Sequence, residues 1–100
     1  MIDFRALQKA VYDNKVAHGF NVTDMDKEFC LLQVEVTEAY QAYGLEDMDA
    51  FAEELADVAI YLMGMAEIAG VDLEQALVSK IEKNRNRRYR MNAHGWLEKE

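Results

Sequence analysis

The sequence predicts an all-α fold of four helices, on three observations. Apolar residues recur at helical spacing almost throughout. No proline interrupts the 100 residues, so no helix interior is broken by a missing N–H. The breaks in the pattern fall at Gly19, Gly44 and Gly70, and each is followed within a few residues by Thr or Asp able to start a new helix.

The first helix is expected over 3–18, with Phe4, Leu7, Val11 and Val16 forming most of an apolar stripe and Gly19 as its stop. Thr23 is expected to cap the second helix, with Asp26 three residues on in a variant capping box. That helix runs to about Tyr43, and Gly44 ends it. Asp47 caps the third helix, which continues to about Ala69 and stops at Gly70. Asp72 caps the fourth, and Gln75 completes its capping box. The fourth helix ends near Arg90. A single helical domain over 1–92 and a C-terminal tail at 93–100 follow.

The third helix is apolar on all sides: from Leu55 to Ala66 only Asp57 is charged. Such a helix must be covered all round. Three neighbours in one short chain can cover about half of it, and a second copy is the simplest cover for the rest. With 51% hydrophobic residues on so small a domain, the bundle is expected to be completed by oligomerisation, as a homodimer or homotetramer.

The single cysteine, Cys30, allows no intrachain disulfide and fits a reducing cytosol. Its neighbours Phe29, Leu31 and Leu32 predict a buried, inert thiol. The charged start MIDFRALQKA does not read as a signal peptide. The apolar stretch 55–66 is too short and too polar to span a bilayer. A cytoplasmic protein without a membrane partner is expected. The net charge of −8 is uneven. Residues 80–90 hold six Lys or Arg against one Glu, whereas the remainder holds five basic and eighteen acidic groups. A chain so acidic would repel a nucleic-acid backbone, yet its one basic patch could hold a small anion.

Two acidic pairs carry the chemistry: Glu35-x-x-Glu38 and Glu54-x-x-Asp57. Each spacing puts both carboxylates on one helix face. Glu46-x-x-Asp49 has the same spacing and reads as a solvated loop and helix start. The chosen pairs differ because their helical neighbours, such as Leu31, Leu32, Phe51 and Val58, are apolar. They also lie on successive antiparallel helices and can face each other. Four carboxylates beside a core repel one another and are costly to desolvate. A hard divalent cation, Mg²⁺ or Mn²⁺, resolves both problems.

On the fourth helix Lys80, Asn84 and Arg87 share a face, with Arg88 alongside. Cations at a helix C-terminus complement its dipole without any ligand. That accounts for some of the six charges, and the excess beside an amide reads as a phosphate grip. Acidic and basic groups together point to a metal-bridged polyphosphate. The ions would also lower the pKa of a water and supply a nucleophile for attack on a phosphoanhydride.

The arrangement resembles the MazG-like all-α nucleoside triphosphate pyrophosphohydrolases. Their E-x-x-E and E-x-x-D signature corresponds to Glu35, Glu38, Glu54 and Asp57, within LQVEVTEAYQAY and EELADVAIYL. Their later K-x-x-x-N-x-x-R corresponds to Lys80, Asn84 and Arg87. The resemblance covers about residues 25–90. It implies a four-helix MazG-like bundle that forms oligomers. It also implies Mg²⁺ on the four acidic residues, and cleavage of a (d)NTP between the α and β phosphates to (d)NMP and pyrophosphate. The implied role is removal of surplus or noncanonical nucleotides. Glu38, with Glu35, would serve the attacking water, while Lys80, Asn84 and Arg87 would hold phosphates. Relatives often carry Pro after the Arg, where this chain has Arg88, which leaves the path of the tail open.

His18 and Phe20 follow the first helix, where relatives place aromatic groups that stack on the base. Equally, Phe20 could staple the second helix with His18 in solvent. Tyr61 is open between site and core, and Trp96 between docking on a partner and a free tail. Glu53 projects away from Glu54 and reads as a surface residue. The six methionines read as core filling. Three alternatives bear on function. Phosphoribosyl-ATP pyrophosphohydrolases share the fold but usually have Tyr-His where this chain has Tyr61-Leu62. A di-iron bundle needs E-x-x-H, and neither His18 nor His94 follows a Glu by three. A non-catalytic acidic interaction module would not share a metal among the carboxylates.

Overall fold

Four helices form in chain order in a computed structural model that describes residues 2–100: α1 (Phe4–Ala17), α2 (Met25–Gly44), α3 (Met48–Ala69) and α4 (Leu73–Arg85). Met1, where the expected domain begins, lies outside the described residues. Each helix starts on an aspartate whose side chain accepts a backbone N–H of the first turn: Asp3 from Ala6, Asp24 from Lys27, Asp47 from Ala50 and Asp72 from Gln75. Gly70 ends α3 in the left-handed conformation at φ 73°.

Several local expectations need correction. Asp24, not Thr23, caps α2. Asn21 Oδ1 accepts the backbone N–H groups of Thr23 and Asp24 and turns the chain one residue further before the helix begins. Gly44 is the last residue of α2, as expected, but it is Glu46 that takes the left-handed turn, at φ 57°. The capping box of α4 is half made: Asp72 Oδ1 accepts from the Gln75 backbone N–H, but the Gln75 side chain does not accept from the Asp72 N–H and its amide donates to Ser79 Oγ. Helix α4 stops at Arg85, short of Arg90. The chain then forms a hairpin of β1 (Tyr89–Met91) and β2 (Leu97–Lys99), antiparallel, with Arg90 opposite Glu98. Asn92 Oδ1 closes its turn by accepting from His94 and Trp96.

Helix α3 is the centre of the fold. It packs along α2 and across α1, while α4 leans mainly on α1. The α3–α4 turn is fixed to α1 by Gln8, whose amide donates to Glu67 Oε2 and Val71 O, both at 2.8 Å, and whose Oε1 accepts from Leu73 N. Gln8, not the Leu7–Val16 stripe, is the buried position of α1; Leu7 and Val16 are exposed. Cys30 is also exposed. It sits about 200° around α2 from the fully buried Glu28, so burying one face exposes the other.

No helix among the described residues is long and apolar enough to cross a membrane. The apolar residues of the described core are few: Ala39, Ala42, Met65 and Ala66. Leu55 and Leu62, which share a face of α3, remain 49% and 44% exposed, in line with the incomplete cover expected from the sequence. The radius of gyration is 16.9 Å, against about 13 Å for a compact chain of this length.

Candidate metal centre and adjoining cleft

Helices α2 and α3 run antiparallel through a short turn, so the last two turns of one lie beside the first turns of the other. This brings Glu35 and Glu38 of α2 against Glu54 of α3. One carboxylate oxygen from each lies within 4.8 Å of the other two. Glu35 and Glu54 are half-buried, whereas Glu38 is exposed at the rim. Asp57, one turn beyond Glu54, stands outside this set, but its charge still acts on Glu35.

The electrostatics of Glu35 follow from its surroundings. Burial is the largest influence, followed by a shared hydrogen bond with Glu54 and by the charges of Glu38, Asp57 and Glu54. All of these favour the protonated acid, and the pKa is raised from 4.5 to about 7. When both groups are ionised, Glu35 Oε2 and Glu54 Oε2 are buried without a hydrogen-bond partner. Such orphaned acceptors are costly in a folded chain. A hard divalent cation fits them: oxygen donors converge, they carry excess negative charge, and Glu38 leaves one side open to solvent.

A cleft of about 510 Å³ lies between α1 and α3, and none of Glu35, Glu38, Glu54 and Asp57 lines it. Its walls include Leu7, Val11, Phe20, Ile60 and Met63, with Asn14, Lys15 and Tyr61 as polar members. Tyr61 connects cleft and carboxylates. Its hydroxyl pKa is raised, first by burial and then by the charges of Glu35, Glu28, Asp57 and Glu38. Phe20 lines the cleft, and His18 stacks on it with ring centroids 5.4 Å apart. His18 also caps α1, with Nδ1 at 2.9 Å from Asn14 O.

The basic group lies elsewhere. Lys80 and Asn84 are exposed on α4, and Arg87 follows just past the helix end, bonded to Asn84 Oδ1 at 3.3 Å. Arg87 is the nearest strong influence on Lys80, whose pKa is lowered mainly by that like charge. Lys80 and Arg87 therefore share one positive surface. Because α4 packs mainly on α1, the fold of one chain does not press this surface against the carboxylates on α2 and α3.

Sequence reasoning missed Lys15, Asn21 and Glu28. Lys15 pairs with the fully buried Glu28, which also accepts from Asn21 Nδ2 at 3.0 Å. One signal was available: Glu28 stands two helical turns before Glu35, on the same inward face of α2 as Leu31 and Leu32. Nothing in the sequence marks Lys15 as its partner, since lysines of exposed helix faces look the same.

Mouse dCTP pyrophosphatase 1 is 47% identical over 47 residues, which cover 47% of this chain and 28% of that protein. The rat and bovine proteins of the same name are 45% and 43% identical over equally long segments. The matched segment thus spans little more than a quarter of those relatives. No solved structure matches the chain. The family model described as MazG-like matches residues 23–100. That range contains all four predicted acidic ligands and the basic K-x-x-x-N-x-x-R, and it covers more than three-quarters of the sequence. The chain belongs to the MazG-like family.

Proposed function

We propose that this protein is a Mg²⁺-dependent nucleotide pyrophosphohydrolase. It hydrolyses a (d)NTP between the α and β phosphates to (d)NMP and pyrophosphate, in the service of nucleotide-pool housecleaning. The observation that carries the reading is the pair of buried, partnerless oxygens on Glu35 and Glu54, converging with Glu38. The names of the mammalian relatives support a pyrimidine deoxynucleoside triphosphate as one substrate.

Glu35, Glu38, Glu54 and Asp57 would hold Mg²⁺, or Mn²⁺ in its place. The ion supplies neutralisation of the polyphosphate and a lowered pKa for water. Glu38, at the open rim, orients the attacking water, and Glu35 assists as the neighbouring carboxylate on the same face. The water oxygen joins one phosphorus as the α–β bridging P–O bond breaks, and pyrophosphate leaves. Lys80, Asn84 and Arg87 hold phosphate oxygens. The cleft beside Tyr61 takes the base, with Phe20 as an aromatic wall and His18 stacked behind it. Its volume suits a nucleobase and sugar.

In this reading the working unit is a homodimer or homotetramer. The half-exposed Leu55 and Leu62 of α3 need cover, and a second copy could bring a basic α4 surface to the acidic group. The exposed thiol of Cys30 suits the reducing cytoplasm.

The test is pyrophosphate release from a panel of NTPs and dNTPs with Mg²⁺, comparing the wild type with Glu54→Gln. Release by the wild type and its loss in the variant are expected. Equal release by both proteins, or none from any nucleotide, would refute the reading.

A further inference from the structure

The side chain of Lys15 follows an unusual path. Its stem crosses α3 at Gly64, where a Cβ would stand 3.3 Å from Lys15 Cδ and 3.5 Å from Val11 Cγ1. Glycine inside a helix is less stable than alanine, so its presence at 64 marks where the stem passes. Beyond Gly64 the ammonium reaches Glu28 Oε1 and stands 5.5 Å from the centre of the Tyr61 ring. Glu28 is fully buried, and its second oxygen is held by Asn21. The Lys15 side chain is 12% exposed, and it lines the cleft.

A clasp between α1 and α2 would explain the ion pair alone. It does not explain why Lys15 also lines the cleft, with its ammonium held near Tyr61, another wall of that cleft. An ammonium carries three protons and no acceptor. Lys15 donates one bond to Glu28, and no second acceptor appears among the described residues. Glu28 neutralises the charge, so the cleft presents a fixed donor rather than an anion trap. The Tyr61 face limits where the ammonium can sit. Lys15 and Asn21 also precede the part of the chain that the family model matches, residues 23–100.

We propose that Lys15 is a specificity-determining residue that donates to a ring carbonyl of the base, with Glu28 and Asn21 as positioning residues. The inference rests on the reading of the cleft as the base site of a nucleotide pyrophosphohydrolase. Cytosine, thymine, uracil and guanine carry such a carbonyl. Adenine has none: where guanine presents its carbonyl, adenine presents an amino group, itself a donor. Adenine bound in the same pose would set donor against donor and leave the remaining ammonium protons without an acceptor. The cleft therefore favours keto bases over adenine.

The test measures kcat/KM for dCTP, dTTP, dGTP and dATP with Mg²⁺. Wild-type protein should use dATP at least ~10-fold less well than the best keto nucleotide, since a site built to donate a hydrogen bond rejects a ligand lacking the acceptor. The paired variant Lys15→Met with Glu28→Gln removes the ammonium without stranding a buried carboxylate. It should lose about that same factor on the keto nucleotides and little on dATP, levelling the ratio. Gly64→Ala keeps both charges and displaces the Lys15 stem, so it should shift the ratio in the same direction by less. Equal use of all four nucleotides by the wild type would overturn the base-reading role, and that result needs no variant to fold. An equal loss on all four in the paired variant would also overturn it and leave the clasp. Both outcomes leave the pyrophosphohydrolase reading standing. Hydrolysis of none of the four by the wild type would remove both.

Discussion

Removing divalent metal and raising the pH should destabilise this protein in a window set by Glu35. The folded carboxyl keeps its proton to about pH 7, whereas its ordinary value is 4.5. Between those values the folded state binds more protons than the unfolded chain, so stability falls as pH rises. Below the window both states are protonated and the contribution is complete. Above it the contribution is gone. The span corresponds to at most about 3–4 kcal/mol at 1.36 kcal/mol per unit. Glu35 is only half-buried, and solvent screening brings the expected loss to about 2 kcal/mol. For a domain of this size that is a fall in Tm of roughly 8–16 °C. The assay is a series of thermal melts by circular dichroism in chelator, from about pH 5 to pH 8. Glu35→Gln should flatten the series and melt higher than the wild type at the alkaline end, because it removes the repelling charge. Asp72 does not confuse the window. Its pKa is lowered, first by the Gln75 backbone N–H, so its contribution is present above the ordinary 3.8 and lost only in stronger acid. A wild-type series without slope, or a slope retained in Glu35→Gln, would refute the reasoning.

Other outcomes follow from the same geometry. Mg²⁺ or Mn²⁺ at a hundredfold excess over Kd should stabilise the wild type by about 2.7 kcal/mol; an equal gain in Glu54→Gln would argue against the centre. Lys80→Ala and Arg87→Ala should each lower kcat/KM by about 10- to 150-fold for every nucleotide accepted, the value of one charge-assisted contact. A loss confined to one base would move those residues into the base site. Lys15→Met alone strands the fully buried Glu28 carboxylate and should cost about 3–5 kcal/mol in urea unfolding, with much of it recovered on adding Glu28→Gln. No recovery would mean that the lost stability lies in packing over Gly64.

Helix starts were largely legible because aspartate caps carry a local mechanism. Asp47 and Asp72 cap as expected. Thr23 failed because a second local bond, from Asn21, competes one residue away. The end of α4 was not legible. Basic residues over 80–90 keep high helix propensity, and only tertiary context turns Tyr89–Met91 into a strand opposite Leu97–Lys99. The acidic group was legible because carboxylates among apolar helical neighbours break the usual pattern. Its partner groups were harder to see. Whether Tyr61 faces the site depends on how α1 crosses α3, and the Lys15–Glu28 pair is a contact between helices with no periodic trace in either.

Buried polar groups in this fold divide into two kinds. Gln8 is nearly inaccessible, yet each of its polar atoms is satisfied, and its bonds fix the α3–α4 turn to α1. Such a group stabilises one arrangement and offers nothing to a ligand. Glu35 and Glu54 are the reverse, each with an oxygen that no protein donor reaches. Lys15 lies between these cases, neutralised by Glu28 but with donor capacity to spare beside the cleft. A helical bundle selected for stability alone would replace all three by apolar residues, and Gly64 by alanine. These departures occur together, on the faces where α1 and α2 meet α3. Local rules broken at one place without internal compensation mark where a chain is shaped for something outside itself. Here the unmet groups are acceptors for a cation and a spare donor on Lys15, and Tyr61 feels the charge of the first and lies beside the second. A nucleotide carrying its metal ion presents the complementary groups: cation and phosphates for the acceptors, a base carbonyl for the donor.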